Sequence, residues 1–557
     1  MAASTISIRP SAVEIAHAAA AVIPSEVSTR PLLGILGVVT GAGLVTFAGR
    51  MLSLGLADLK GHVGISLDDG AWLDSAFNAS LMFIGPFTVY VGGLLGPRRV
   101  LLLAAGLFTV TSLFLPLIHS YSLLVAGLLV AGLTSGTFYP LTLTFALRNI
   151  PLRYLPFTIA LYAAFVDGAV NIAPSLYGWY RDHLSWHWMF WNSAVIAPAM
   201  MICIYFGIPP ASPRKKSGPA PSFAGFLYLS AGLALIFTAL QQGQRLDWWR
   251  SGVFNGCFWS GSVFLLCALV RRLRGPNPLV ALPYLLKWDT ILLGCLLFWF
   301  RFTLCTTIIL IPQSLAIRGF EADQIGLAII WSAVPLIPIA FTAALLLLRK
   351  LDPRLLFAAG LACTAFAAWL CSQYTAAWAA ENFYRTELLV GVGQAFAFIG
   401  LVGCIVLQAI FGGALAKPEW VLTFSAFFHV VRLFGGTAGA IYMGHFIAQR
   451  EKLHSNLLGL HVRGGNWITD QNVRAMTAGL YAKSSGMAAA GARAVDLIAA
   501  RLRLQAYSLS LNDGFLLIAW SCFGALILVA LLRKSPLNYG DLSAMQQIPG
   551  AKKGSNQ

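Results

Sequence analysis

The chain has 557 residues, of which 58% are hydrophobic and only 11% are charged, whereas soluble domains carry about 25% charged residues. A soluble core of this length could not enclose so much apolar surface, so the composition excludes a soluble globular protein and indicates a polytopic membrane protein. The formal net charge of +17 does not indicate nucleic-acid binding, because the Lys and Arg residues lie between apolar segments and not on a basic face with interleaved aromatic residues.

Residues 1–31 precede the first long apolar segment and are predicted to form a cytoplasmic tail. They contain the stretch "AHAAAAVIP" but no basic cluster followed by a long apolar core, so a signal peptide is not predicted. From residue 32 onwards, the chain repeatedly offers the roughly 20 apolar residues that a helix needs to cross a bilayer. Apolar runs of this length exclude a β-barrel, whose strands alternate apolar and polar residues. The predicted spans are 32–57, 72–94, 100–118, 122–147, 155–177, 187–208, 222–240, 252–270, 289–314, 325–347, 355–373, 386–408, 419–446 and 512–532.

The loops between these spans differ in charge. With the N-terminus inside the cell, the cytoplasmic loops hold most of the Arg and Lys residues, whereas the opposite loops 58–71 and 119–121 hold few. This distribution follows the positive-inside rule and predicts a multi-pass protein of the cell (inner) membrane with both termini in the cytoplasm. The basic segment 447–511 is placed outside, because loops longer than about 60 residues are largely exempt from the rule. Its stretch "GARAVDLIAARLRLQAYSL" is interpreted as a short amphipathic helix that returns to the membrane surface.

An internal echo predicts two related halves. The stretch "GPRRVLLLAAGL" (96–107) follows span 2, and "DPRLLFAAGL" (352–361) follows span 10. Duplicated halves are common in transporters, which hold their substrate near the midplane between the halves. Spans 7 and 8 are then an inserted pair, which gives 6 + 2 + 6 transmembrane helices and makes span 1 equivalent to span 9. The predicted parts are the tail 1–31, the N-terminal half 32–208, the two linker helices within 209–276, the C-terminal half 277–532 with periplasmic loop 447–511, and the cytoplasmic tail 533–557.

The nine cysteines lie in or beside apolar runs, with no Cys-x-x-Cys pair and no histidine cluster at metal-ligand spacing. They are interpreted as small apolar residues of packed helices, and no metal site and no cofactor is predicted. The motifs Gly-x-Ser-x-Gly, His-Glu-x-x-His and Gly-x-x-x-x-Gly-Lys-Ser/Thr do not occur in the sequence, so an enzyme is not predicted. Without an ATP site, transport would be driven by gradients of ions or substrates.

Several stretches resemble the major facilitator superfamily, in particular its fourteen-span drug:proton antiporter branch. They are "GHVGISLDDGAWLDSAF" (61–77), "SGTFYPL" (135–141), "LSWHWMFWNSAVIAP" (184–198), "NPLVALPYL" (277–285) and "VVRLFGGTAGA" (430–440).

The resemblance implies a major facilitator fold and proton-linked secondary transport. The chain departs from the branch at two positions: Ala48 stands where span 1 often has an acid, and Leu128 stands where span 4 usually has an arginine linked to proton coupling. A conformational motif, in the turn after span 2 and in span 5, is retained in reduced form at Gly96, Arg98, Arg99, Pro174 and Gly178.

Ionisable side chains inside a membrane are costly and are therefore candidates for function. Asp167 lies about 12 residues, or ~18 Å, into span 5. An isolated acid at this depth would be protonated and a nearby arginine would keep it ionised, so Asp167 is interpreted as a proton carrier or as a counter-ion, with a structural partnership to Arg50 as the alternative. Arg301 lies at a similar depth in span 9.

Two further ionisable residues are weaker candidates. Arg432, in a glycine-rich helix, is assigned to helix packing, and Glu387, at a span end, is interpreted as hydrated.

Arg50 and Arg301 lie on equivalent helices. If both face a central cavity they form a fork for an anion, since guanidinium groups bind carboxylate or phosphate in a bidentate manner. Neighbouring aromatic residues such as Phe298 and Trp299 suggest an aromatic or apolar body on that anion. The alternative for Arg50 is a side chain that extends to the outer surface or pairs with Asp58.

The function predicted from these features is proton-linked efflux of small amphipathic compounds, among them organic anions such as aromatic carboxylates. Alternatives are an uptake symporter for an organic anion and a non-transporting membrane sensor. The expected partners are a small-molecule substrate, protons and the lipid bilayer, with no nucleic acid. The resemblance adds a periplasmic adaptor protein and an outer-membrane channel, for which loop 447–511 would be the docking surface.

Overall fold

The computed structural model describes residues 28–210, 222–274, 285–375, 377–412, 414 and 418–545. Within these residues all regular secondary structure is helical, and fourteen helical segments are long and apolar enough to cross a membrane. The predicted fold class, an all-α polytopic membrane protein with fourteen spans, is therefore confirmed. Most of the predicted N-terminal tail, part of the segment before span 7, most of "NPLVALPYL" and the end of the C-terminal tail lie outside the described residues.

The N-terminal half begins its helices at prolines and small polar residues. Pro31 and Pro97 occupy first helical positions, where the missing N–H group is not needed. Ser66 caps the second helix, because its hydroxyl accepts a hydrogen bond of 3.1 Å from the backbone N–H of Asp69. The helices are α1 (Pro31–Val63), α2 (Leu67–Leu95), α3 (Pro97–Phe114), α4 (Tyr121–Ser135), α5 (Phe138–Asn149), α6 (Leu155–His183) and α7 (Trp188–Gly207).

Two inserted membrane helices follow α7 and pack against each other. Polar side chains attach the first of them to α2: Gln241 donates a hydrogen bond of 2.5 Å to Asp74, and Arg245 forms a salt bridge of 2.8 Å with Asp68. The inserted helices are α8 (Phe223–Gly243) and α9 (Gly252–Arg274).

The C-terminal half contains two irregular spans. Span 9 passes through a π-helix at Thr306–Leu310, and span 10 passes through a 3₁₀ turn at Ile330–Ser332. Local π-helix is frequent at functional sites. The helices are α10 (Trp288–Thr303), α11 (Ile311–Ala316), α12 (Ala322–Ile329), α13 (Leu336–Leu348), α14 (Pro353–Cys371), α15 (Tyr384–Phe411), α16 (Pro418–Gly459), α17 (Trp467–Tyr481), α18 (Met487–Ala530) and α19 (Tyr539–Met545).

The two halves pack together at both ends of the bundle. We name these the basic end, where the α2–α3 and α13–α14 turns lie, and the extended end, where α17 lies. At the extended end, a Cβ atom on Gly178 of α6 would lie 2.8 Å from the Cα of Asp323 at the start of α12. Towards the basic end, a Cβ atom on Gly92 of α2 would lie 3.4 Å from Leu422 of α16. The interface between the halves is therefore closed at both ends in this structure.

The two Pro-Arg turns of the sequence make equivalent contacts. Arg98, at the start of α3, donates a hydrogen bond of 2.6 Å to the carbonyl oxygen of Tyr205 at the end of span 6. Arg354, at the start of α14, donates one of 2.7 Å to the carbonyl oxygen of Leu532 at the end of span 14. Each turn therefore holds the last helix of its own half, as expected if the halves are related.

Segment 447–511 differs from the loop that the sequence suggested. Helix α16 continues to Gly459, and the predicted short amphipathic helix is the beginning of α18, which has 44 residues and enters the membrane without a break. The triplet at 512–514, Asn-Asp-Gly, is typical of a turn. Here it stays helical because Asp513 accepts hydrogen bonds from Arg450 (2.6 Å) and His454 (2.7 Å) of α16. We call residues 447–511 the helical extension.

Candidate functional site

Asp167 lies on α6, at the interface between the two halves. Its side chain is 1% exposed, and neither carboxylate oxygen has a hydrogen-bond partner among the described residues. Arg301 of α10 is close enough for the two charges to interact, and Arg301 in turn interacts with the charge of Arg432 on α16. The structure thus brings one acid of the N-terminal half together with two arginines of the C-terminal half.

Two glycines of α16 make room for the Arg301 side chain. A Cβ atom on Gly435 would lie 2.9 Å from the Cα of Phe298, and one on Gly436 would lie 3.4 Å from a terminal nitrogen of Arg301. The guanidinium group therefore lies against bare backbone of α16. Its Nε and Nη1 atoms are buried and have no hydrogen-bond partner in the described chain, which leaves donors for an anion.

Arg432 lies at the interface between the halves. It is 3% exposed, donates a hydrogen bond of 3.0 Å to the Thr46 hydroxyl of α1, and stacks over the Tyr139 ring of α5 at 4.2 Å. These are contacts between helices, as the assignment to helix packing expects, and they join the C-terminal half to the N-terminal half. Gly435 and Gly436, two of the glycines behind that assignment, accommodate Arg301.

Arg50 does not contact Arg301 or Asp167. It is partly buried on α1, its Nε atom is unpaired, and no ion pair to Arg50 is found in the described residues. Asp58, the alternative partner, instead accepts a hydrogen bond from the Tyr177 hydroxyl. Arg50 lies one helical turn from Thr46 and thus on the face of α1 that Arg432 reaches.

A layer of polar side chains joins the halves one turn away from Asp167. Asn171 of α6 donates a hydrogen bond of 3.2 Å to Gln394 of α15, and Gln394 donates one of 3.0 Å to Thr307 in the π-helix. All three side chains are buried. Nothing in the sequence distinguishes them, because uncharged polar residues are common in membrane helices.

Glu387 is completely buried. The interpretation of this residue as hydrated is therefore wrong. Helix α15 begins at Tyr384, so Glu387 lies in its first turn. Cys371 at the end of α14 and Ser332 of the 3₁₀ turn in span 10 lie against it. The apparent span end is therefore covered by neighbouring helices.

The residues of the conformational motif lie where the halves and turns meet. Gly96 has φ +85° and connects α2 to α3, followed by the Arg98 contact described above and by exposed Arg99. Gly178 packs closely against α12. Gly326 of α12 packs closely against Pro174, because a Cβ atom on Gly326 would lie 2.9 Å from the Pro174 carbonyl oxygen.

A cavity of about 510 Å³ lies apart from the charged cluster. Side chains of α2, α4 and α8 line it, among them Trp72 and Tyr121 near the extended end. The described residues contain no group of three or more His, Cys, Asp or Glu side chains that could hold a metal ion.

A bundle of fourteen apolar helices with buried charges between two packed halves defines the class of membrane transporters. Residues 38–440 match the sequence profile of the Major Facilitator Superfamily. The chain belongs to this superfamily and is a polytopic membrane protein.

Relatives and solved structures agree with this assignment. The chain is 22% identical to the multidrug export protein EmrB of Haemophilus influenzae, in an alignment that covers 86% of this chain and 91% of that protein. It is 24% identical to EmrB of Escherichia coli, over 88% of this chain and 92% of that protein. It is 23% identical to the fatty acid resistance protein FarB of Neisseria gonorrhoeae, over 86% of this chain and 92% of FarB. The proton:xylose symporter XylE has the same fold, with a TM-score of 0.51 at 11% identity over 93% of this chain and 99% of XylE. Human MFSD10 also has a TM-score of 0.51, at 15% identity over 88% of this chain and 99% of its own.

Proposed function

We propose that the protein exports small amphipathic organic anions, such as aromatic carboxylates, in exchange for protons. The observation that carries this proposal is the cluster of Asp167, Arg301 and Arg432, which holds two positive charges against one negative charge in a closed interface. Arg50 adds a further positive charge on the face of α1 that Arg432 contacts through Thr46. A net positive site favours an anion and disfavours the lipophilic cations that many drug exporters carry.

The charges also suggest how coupling occurs. In the empty site Asp167 balances Arg301. An arriving carboxylate binds the free donors of Arg301 from the basic end. Once it has left at the extended end, Asp167 takes up a proton there and carries it back, so the anion and the proton cross in opposite directions. The interface opens alternately at the basic and extended ends, as expected for two halves that rock around a site at the midplane.

A relative's name, the membrane potential and the position of the basic end favour export of an anion. FarB is named for fatty acid resistance, and a fatty acid is an amphipathic carboxylate. With the cell interior negative, one outgoing negative charge gains about 2.3 kcal/mol per 100 mV. The positive-inside rule puts the basic end in the cytoplasm, so the site would load from there.

The helical extension suggests a partner outside the membrane. Large apolar side chains are exposed on it, including Leu460 (53%), Trp467 (73%) and Ile468 (63%). Exposed apolar surface of this kind is typical of protein interaction sites. We infer that a periplasmic adaptor protein, leading to an outer-membrane channel, docks here.

The test uses inside-out vesicles energised with a proton gradient, with radiolabelled 1-naphthoate and tetraphenylphosphonium as probes. We expect wild-type vesicles to accumulate naphthoate, and Arg301→Ala and Arg50→Ala vesicles to lose most of this uptake. Accumulation of the cation alone, or naphthoate uptake that neither substitution affects, would overturn the anion site. Naphthoate accumulation in right-side-out vesicles instead would identify an uptake symporter.

A further inference from the structure

Glu387 is a buried acid that the mechanism above does not use. It is 0% exposed, and neither of its carboxylate oxygens forms a hydrogen bond within the described chain. The Ser332 hydroxyl lies close to it and donates its own hydrogen to the carbonyl oxygen of Ile329 at 2.6 Å. Because an ionised carboxylate without a partner is costly in such a place, Glu387 binds a proton in this closed state.

The surroundings of Glu387 connect it to the closure of the extended end. One turn further along α15, Gly391 packs so closely on the Ser332 backbone that any side chain would collide with it. Ser332 joins α12 to α13, and α12 closes on α6, where a Cβ atom on Gly326 would lie 2.5 Å from the Cα of Ser175. Glu387 therefore lies directly behind the span that closes this end. Cys371 of α14 is a titratable side chain that faces it.

One face of α15 links Glu387 to the central site. Residues 387, 391 and 394 follow the i, i+4, i+7 spacing of a single helix face. Gln394 is about 10 Å from Glu387 along the axis, at 1.5 Å per residue. It hydrogen-bonds to Asn171, which is one turn from Asp167 on α6. A polar path thus runs from the central acid to a buried acid behind the extended end.

We propose that Glu387 is a second proton-binding group, loaded from the extended end and paired with Asp167 through the Asn171–Gln394–Thr307 layer. This inference rests on the proposed proton-linked export. When α12 moves away from α6, the Glu387 carboxylate takes up one proton from outside. When the halves shift and the Asn171–Gln394 bond opens, water that enters the layer carries this proton to the Asp167 carboxylate, because the amides themselves do not relay protons. Asp167 later releases the proton at the basic end. Each cycle moves one proton inwards, and Glu387 is again ionised at its end.

The first experiment reads the protonation of Glu387 without any substrate. Purified full-length protein is titrated with pH while the carbonyl stretch of neutral carboxyl groups is followed by infrared spectroscopy. We expect the neutral-carboxyl signal at pH 7 to lose one component in Glu387→Gln. The exposed Glu381→Gln, six residues away, serves as the matched control and should leave the signal unchanged. An identical signal in wild type and Glu387→Gln would overturn the proposal.

The second experiment separates coupling from structure in proteoliposomes. We expect Glu387→Gln to retain exchange of labelled for unlabelled 1-naphthoate at equal pH on both sides, and to lose accumulation driven by a pH gradient. Glu387→Asp should restore part of that accumulation, with a shifted pH profile. Normal gradient-driven accumulation in Glu387→Gln, or loss of exchange together with gradient-driven transport, would contradict the coupling role. If wild type moves no naphthoate, the proposed export fails, whereas the infrared titration still tests whether Glu387 carries a proton.

Discussion

At the scale of single residues, the sequence identified charges inside the membrane but not which of them meet. Asp167 lies close enough to Arg301 for their charges to interact, whereas Arg50, the partner considered for Asp167 and the equivalent of Arg301 in the other half, contacts neither of them. The contacts of Arg432 with the other half could not be predicted, because a sequence gives the depth of a side chain in the membrane and not the neighbouring helix towards which it points. The contact between Arg432 and Thr46 depends on the packing of the two halves.

Replacing Asp167 with Asn removes the charge but keeps the shape of the side chain. We expect Asp167→Asn to lower naphthoate uptake into energised vesicles to the rate seen without a pH gradient, because the amide cannot carry a proton. Expression should be preserved, since neither carboxylate oxygen makes a hydrogen bond that would be lost. The measurement is uptake against an imposed pH gradient. A normal response to the gradient would exclude Asp167 as the coupling residue.

Replacing Arg301 with Lys keeps the charge but removes the planar fork. Hydrogen bonds to charged groups contribute about 1.5–3 kcal/mol, so the affinity for naphthoate should fall roughly tenfold or more. Binding to purified protein measures this by calorimetry. Arg50→Lys, at an arginine without an ion pair in the described residues, is the control and should change the affinity less. An unchanged affinity in Arg301→Lys would argue that charge alone matters, and an equal loss in Arg50→Lys would show that both guanidinium groups hold the anion.

At the scale of helices, apolar length predicted the fourteen spans because bilayer thickness fixes the length of each crossing helix. The same criterion could not find the helical extension, where α16 and α18 continue beyond the apolar part of their spans. Nor does apolar length reveal the π-helix after Arg301 or the 3₁₀ turn in span 10, although Pro312 and Pro335, which lack a backbone N–H, follow these irregularities in the chain. Glu387 was misinterpreted because its burial depends on the packing of neighbouring helices and not on the length of its span.

The turn at Arg98 should affect the rate of transport and not the affinity. Arg98→Ala removes the hydrogen bond that ties α3 to the end of span 6. A bond worth about 1 kcal/mol corresponds to roughly a fivefold lower maximal rate. Arg99→Ala, at an exposed neighbour, is the matched control and should slow transport less. Naphthoate uptake at a series of concentrations separates the two parameters. A lower affinity with an unchanged maximal rate would contradict this prediction.

The contact at Gly178 should control closure of the extended end. Gly178→Ala places a methyl group 2.8 Å from the Cα of Asp323, and such overpacking costs about 1–3 kcal/mol. The closed state should become less populated, so amide hydrogen exchange should rise at the ends of α6 and α12. Gly61→Ala adds the same methyl group where no atom lies within 4 Å and should leave exchange unchanged. Unchanged exchange in Gly178→Ala would show that the helices separate slightly at no cost.

At the scale of the whole molecule, the structure is closed at both ends of the interface between the halves. The short C-terminal helix α19 contacts the turn at Leu152–Tyr154 of the N-terminal half at the basic end, and a salt bridge of 2.7 Å between Lys350 and Asp541 attaches it to the C-terminal half. The hydrogen bond from Lys350 lowers the pKa of the Asp541 carboxyl group. The stabilisation is therefore present above the usual pKa of a carboxyl group and is lost as the pH falls through the lowered value.

The helical extension should matter for export from cells but not for movement across one membrane. It lies beyond the packed halves and exposes Trp467 and Ile468 at the start of α17. Replacing residues 460–486 with a short Gly-Ser linker leaves the membrane part of α16 and α18 in place. We expect the shortened protein to transport naphthoate in inside-out vesicles at a rate close to wild type. In intact cells with two membranes it should no longer protect against amphipathic carboxylates, because the adaptor has lost its surface.

A milder variant, Trp467→Ser together with Ile468→Ser, keeps α17 and removes its exposed apolar side chains. It should weaken protection in cells without affecting vesicle uptake, since burial of these two side chains against a partner is the proposed source of the affinity. Two exposed polar residues of α18, changed as Asp496→Asn and Arg501→Gln, serve as the control and should keep full protection, because they add nothing to the exposed apolar surface. If the shortened protein protects cells as well as wild type does, the extension has no docking role. If it also fails in vesicles, the extension instead supports the packing of the membrane helices.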